Sequence, residues 1–138
     1  MRLDRIVVAV DGSENSVAAV TWAAGLASMT GAEVIAVHAL GLLERMDDGL
    51  QPSEPNRDEI QRRFETEWCA PLDGVQSRRL LLDGSAVPVV LALADEEDAD
   101  LIVLGSRGLG GHPELLLGST STQVAQHSHR PVTIVPTV

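Results

Sequence analysis

Two glycine-marked stretches hold the residues best suited to chemistry in this chain. The longer one begins Gly105-Ser106-Arg107-Gly108 and resumes at Gly118-Ser119-Thr120-Ser121-Thr122. Glycines at 105 and 108 are expected to turn with positive φ and to let a ligand approach the backbone without a Cβ in the way. Successive N–H groups in such a turn can form an anion-binding concavity. Gly118 and Ser119 open a helix whose first N–H groups and positive dipole end favour negative charge. Ser119, Thr120, Ser121 and Thr122 add hydroxyls, and Arg107 can meet a phosphate in bidentate fashion. The shorter stretch, Asp11-Gly12-Ser13, offers a carboxylate beside a turn and a helix cap. Together these residues describe a cradle for a polyanion, with no evident nucleophile or general base.

The rest of the composition narrows the chemistry. All ten basic residues are Arg, so a P-loop lysine and Schiff-base catalysis are excluded. A bound phosphate must be met by Arg, by backbone N–H groups or by a metal. The net charge of −10 opposes binding to nucleic acid or to an anionic membrane, both of which are held through clustered Lys and Arg. The lone Cys69 allows no internal disulfide or cysteine metal cluster and is expected to act as a small hydrophobe. His127 and His129 lie two apart, on different sides of a helix, while His112 and His38 fall in a loop and a strand; no metal site is expected. The acidic run Asp95–Asp98 with Asp100 reads as a solvated face, and Trp22 as core. The N-terminal apolar run is too short for a signal peptide, which makes the cytoplasm the expected location.

Positioning those loops falls to five apolar runs: Ile6–Val10, Val34–Leu40, Arg79–Leu82, Leu101–Leu104 and Val132–Val135. Each is continuous rather than alternating, as in strands of a parallel sheet covered on both faces. Helical spacing fills the intervals at Glu14–Thr30, Arg57–Ala70, Ala86–Glu97 and Ser119–His127. Ser13 and Ser85 are cap candidates, Gly31 is a C-terminal glycine, and Pro71 and Pro131 are stops. The first helix carries Val17, Val20, Ala24 and Ala27 on one stripe; the second carries Ile60, Phe64 and Trp68. Residues 41–55 read as a loop. One α/β domain over residues 1–138 follows, a five-stranded parallel sheet of order 3-2-1-4-5 with helices on both faces. Its switch point lies between the first and fourth strands, and ligands should bind at their carboxyl ends.

The spacing Gly105-x2-Gly108-x9-Gly118-Ser119 resembles the ATP-binding signature of the universal stress protein family. Ile6–Ser13, Ala99–Gly105 and Arg130–Val135 are similar to that family's first strand and turn, fourth strand and last strand. The resemblance implies a Rossmann-like fold and ATP as ligand, with Mg or Mn carried on the phosphates. It implies that Asp11 faces the ribose and adenine side, and that Ala9, Ala39 and Leu104 wall the adenine slot. Gly105 and Gly108 would approach ribose and phosphates, and Gly118, Ser119, Thr120 and Ser121 would hold the triphosphate. It also implies a homodimer, often through the last strand, Val132–Val135. Pro113 and Glu114 depart from an obviously phosphate-friendly loop. The expected function is a nucleotide-responsive stress module; a slow ATPase and a nucleotide-independent dimeric interaction protein are the alternatives. A dinucleotide dehydrogenase is disfavoured, because Asp-Gly-Ser replaces Gly-x-Gly-x-x-Gly after the first strand.

Overall fold

Three consecutive β-branched residues, Ile6, Val7 and Val8, are wholly buried in the first strand, β1 (Arg5–Ala9). Successive side chains of a strand point to opposite sides, so a strand that buries them all is covered on both faces. The computed structural model describes residues 2–41, 44–46, 49–51, 57–107 and 117–136. Its element order is β1, α1 (Glu14–Thr30), β2 (Glu33–Ala39), β3 (Glu44–Met46), β4 (Gly49–Gln51), α2 (Arg57–Arg63), β5 (Ser77–Leu82), α3 (Ala86–Glu96), β6 (Leu101–Gly105), α4 (Ser119–His127) and β7 (Val132–Val135). The main sheet runs β5-β2-β1-β6-β7 and is parallel throughout, so the expected 3-2-1-4-5 order is the one observed.

The sheet separates two apolar layers. Ile6, Val8 and Val34 face α1, Phe64, Trp68 and Leu72, whereas Val7, Ile35 and Ile102 face Val90, Leu93 and Val124 from α3 and α4. Helix α1 starts and stops where the sequence says it should. The Ser13 hydroxyl accepts from Ser16 N at 3.2 Å, and Gly31 adopts the left-handed φ of 77° that ends the helix. Ser85 sits at the N-cap position of α3 but makes no side-chain cap bond.

Four expectations need correction. Trp22 is 41% exposed, because the Ala-rich stripe Ala19, Ala23 and Ala27 packs α1 against the sheet and turns position 22 outward; Val17 is only half-buried for the same reason. Residues 41–55 are not all loop, since β3 and β4 pair antiparallel. The second helix leaves α-geometry after Arg63, passing through a π turn (Phe64–Trp68) and a short 3-10 turn (Ala70–Leu72) that contains Pro71. That winding buries both Phe64 and Trp68 while accommodating a residue with no N–H to donate. The acidic run is not merely solvated: Arg78 bonds Glu97, Arg130 bonds Asp95 and Asp98, and Asp100 accepts from the backbone of Asp4 and Arg5.

Candidate functional site: the ends of β1 and β6

β1 and β6 are adjacent and parallel, with Val8 opposite Val103, so their carboxyl ends emerge side by side. The chain then leaves β1 toward α1 and β6 toward α4. In an open parallel sheet that divergence leaves a crevice between the two exits.

The β1 exit is fixed by a set of local hydrogen bonds. Asp11 Oδ1 accepts from Ser13 N at 2.9 Å and from Ser13 Oγ at 2.5 Å. Ser16 Oγ donates to Ser13 O at 3.0 Å and accepts from Asp11 N at 3.3 Å. Every hydroxyl here is spent on the turn itself, which holds the carboxylate at the head of α1. Gly12 has φ 86°, a conformation that suits glycine, and a Cβ there would stand 2.6 Å from the Trp68 ring. Trp68 is 7% exposed, and its Nε1 has no partner among the described residues. A buried donor left unmade costs about 1–3 kcal/mol. His38 Nδ1 lies 2.6 Å from the Val10 carbonyl oxygen, which can only accept, so Nδ1 carries the proton.

The β6 exit meets the start of α4. Gly118 N donates to Ser106 O at 2.7 Å, and Ser121 Oγ donates to the same oxygen at 3.0 Å and to Gly118 O at 3.1 Å. Gly105 and Ser119 are therefore brought together, as the cradle requires. The reason for glycine at 105 differs from the expectation. Its φ is not positive; instead a Cβ would lie 2.6 Å from the backbone oxygen of Asn15. Close approach of α1, not turn geometry, demands glycine there. Ser106 Oγ, in turn, donates to Asn15 Oδ1 at 3.2 Å.

The predicted residues divide accordingly. Asp11 follows β1, Gly105 closes β6, Gly118 is the N-cap of α4 with Ser119 and Thr120 as its first residues, and Ala9 and Ala39 are half-buried at the ends of β1 and β2. Leu104 is 3% exposed and packs in the core beneath. Ser121, also 3% exposed, points under the helix start, where it serves the Ser106 and Gly118 carbonyls. Arg107 is half-buried directly after Ser106. Gly108 and Glu114 lie outside the described residues. Sequence reasoning missed Asn15, His38, Trp68 and the structural part of Ser106. Trp68 falls on the apolar stripe of the second helix and His38 in a strand, but only tertiary contacts link these residues to the two loops. No cluster of three or more His, Cys, Asp or Glu among the described residues could hold a metal ion.

The universal stress protein family model matches residues 2–136. The chain belongs to the universal stress protein family. A universal stress protein of Thermus aquaticus is 37% identical over 137 residues, covering 94% of this chain and 96% of its own. Universal stress protein YxiE of Bacillus subtilis is 32% identical over 145 residues, covering 96% and 98%. Among solved structures, a universal stress protein in complex with cAMP superposes with a TM-score of 0.78 at 28% identity, covering 100% of both chains. The family assignment agrees with the sheet order. No helix among the described residues is long and apolar enough to cross a membrane.

Proposed function

We propose that this universal stress protein binds ATP at the β1–β6 crevice and acts as a nucleotide-responsive regulatory module, paired with a second copy through β7. One observation carries the reading: the 2.7 Å bond from Gly118 N to Ser106 O, which seats the N-terminus of α4 against the end of β6. The first N–H groups of a helix lack intrahelical partners, which suits the start of α4 to an anionic ligand. The structural relative in complex with cAMP supports an adenine nucleotide as the ligand class.

In this reading Asp11 accepts from the ribose hydroxyls, and Ala9, Ala39 and Leu104 supply small or recessed apolar walls for adenine. Gly105 and Gly108 give the backbone clearance for ribose and phosphates. Gly118, Ser119 and Thr120 bind the triphosphate, Arg107 adds charge, and Ser121 shapes the helix start. Mg or Mn enters on the phosphates. β7 is an edge of the sheet and half-buried along its length, a strand that invites pairing.

Titration calorimetry with MgATP and cAMP, on the wild type and on Gly118→Glu, tests the proposal. Expected are a micromolar ATP constant, roughly −8 kcal/mol, and its loss in the variant. No heat at millimolar nucleotide would sink it and leave a nucleotide-independent interaction protein. Sustained phosphate release that Gly118→Glu abolishes would replace it with an ATPase.

A further inference from the structure

Asp11 lies between two residues that are gripped from outside the glycine loops. On one side His38, from β2, holds the Val10 carbonyl at 2.6 Å. On the other, Trp68, from the π turn after α2, lies against Gly12 so closely that a Cβ would meet its Cζ2 at 2.6 Å and Cε2 at 2.8 Å. The two grips touch each other: the His38 and Trp68 rings pack edge to face with centroids 5.3 Å apart and planes at 65°. Phe64 stands behind His38 at 6.0 Å, and the Arg63 guanidinium lies 5.3 Å from the Trp68 ring centre.

We infer that His38 and Trp68 are positioning residues of the nucleotide site, which hold Val10 and Gly12 so that the Asp11 carboxylate is set for the ribose hydroxyls. The inference rests on the ATP reading above and adds the residues that would give it preference for a hydroxylated sugar. Ordinary core filling does not account for the arrangement. A core residue needs volume, whereas here a flat ring meets the α-carbon of a left-handed glycine, and an imidazole N–H is spent on one strand-end carbonyl. The helix also departs from α-geometry at the turn that brings Trp68 in, a deviation frequent at functional sites. With the His38 grip removed, Val10 N still donates to Val37 O and Asp11 N to Ser16 Oγ, but the Val10 carbonyl loses its partner. With Trp68 removed, Gly12 loses the ring that backs it, and in either case the peptides flanking the carboxylate are less tightly set.

The test compares ATP with 2′,3′-dideoxy-ATP, which keeps adenine and phosphates and lacks both hydroxyls. Wild type should prefer ATP by about tenfold, the effect of one charge-assisted hydrogen bond. His38→Ala and Trp68→Leu should each lose most of that preference by weakening ATP alone. His38→Asn, which keeps a donor near the Nδ1 position, should restore it. Equal weakening of both nucleotides, or an unchanged preference, overturns the inference. Should wild type bind both nucleotides equally, the inference falls while the ATP reading stands; should it bind neither, the ATP reading itself has failed. If the variants do not fold, Trp22→Phe leaves Trp68 as the sole tryptophan of an intact site. Its emission should then shift with ATP and not with the dideoxy analogue, and identical shifts overturn the inference.

Discussion

Gly105→Ala is the sharpest probe of how this crevice is built. The added methyl would lie 2.7 Å from the Asn15 carbonyl carbon and 2.6 Å from its oxygen. Carbon atoms normally meet at about 3.5 Å, so the shortfall is about 0.8 Å. Neither side can yield by changing a rotamer. The obstructing atoms are the backbone of α1, and Gly105 is itself in register with Val135 of β7. The α1 N-terminus or the end of β6 must therefore move, which strains the Ser106–Asn15 and Ser106–Gly118 hydrogen bonds. Overpacking of this kind costs about 1–3 kcal/mol. With an unfolding entropy near 2.1 cal/mol/K per residue over 138 residues, the melting temperature should fall by about 3–10 °C. Because the displaced atoms frame the α4 N-terminus, MgATP affinity should fall about tenfold or more in protein that remains folded by circular dichroism. Gly25→Ala is the matched control. Gly25 lies on the exposed face of α1 with no atom within 4 Å of an added Cβ. It should stabilise by about 0.5–1 kcal/mol, since alanine favours helix, and leave ATP affinity unaltered. A Gly105→Ala protein with unchanged melting temperature and affinity would refute the reasoning.

Two further outcomes follow from ionisable groups. Burial pushes the Cys69 thiol up to about 11, with Arg79 only partly opposing it, so at pH 8 the native protein should resist alkylation and react only on unfolding. Rapid stoichiometric labelling of the folded state, read by mass spectrometry, would contradict this. The Arg78 guanidinium holds the Glu97 carboxyl below its ordinary value, and Arg130 does the same for Asp98. Carboxylates with depressed folded pKa values bind fewer protons in the native state than in the unfolded chain. Their stabilisation is present above the ordinary carboxylate range near pH 4 and is lost as pH falls through and below it. Thermal melts from about pH 6 to pH 3 should therefore show a shallower acid loss in Arg78→Gln than in wild type; parallel curves would rule the linkage out.

What the sequence settled by itself is local and periodic. Short continuous runs such as Ile6-Val7-Val8, rich in β-branched residues, suit two-faced buried strands, and the Ser13 cap and Gly31 stop bound α1 because each satisfies a backbone need specific to a helix end. Alternation of such strands with helices then leaves few sheet orders, and the glycine spacing singles out the loops that follow the two adjacent strands β1 and β6. Tertiary structure decided what depends on neighbours remote in the chain. Trp22 looked like core, but α1 meets the sheet through its alanines, which allow closer approach. Gly105 looked like a turn glycine, yet it is glycine because Asn15, far away in sequence, presses on it. Ser121 looked like a phosphate ligand, yet its hydroxyl serves two carbonyls beneath the helix. His38 read as a strand histidine and Trp68 as one of a helical stripe, and neither reading linked them to the Asp11 turn. Spacing along a chain records how an element repeats, and it carries no record of which side chain from another element will come to rest against it.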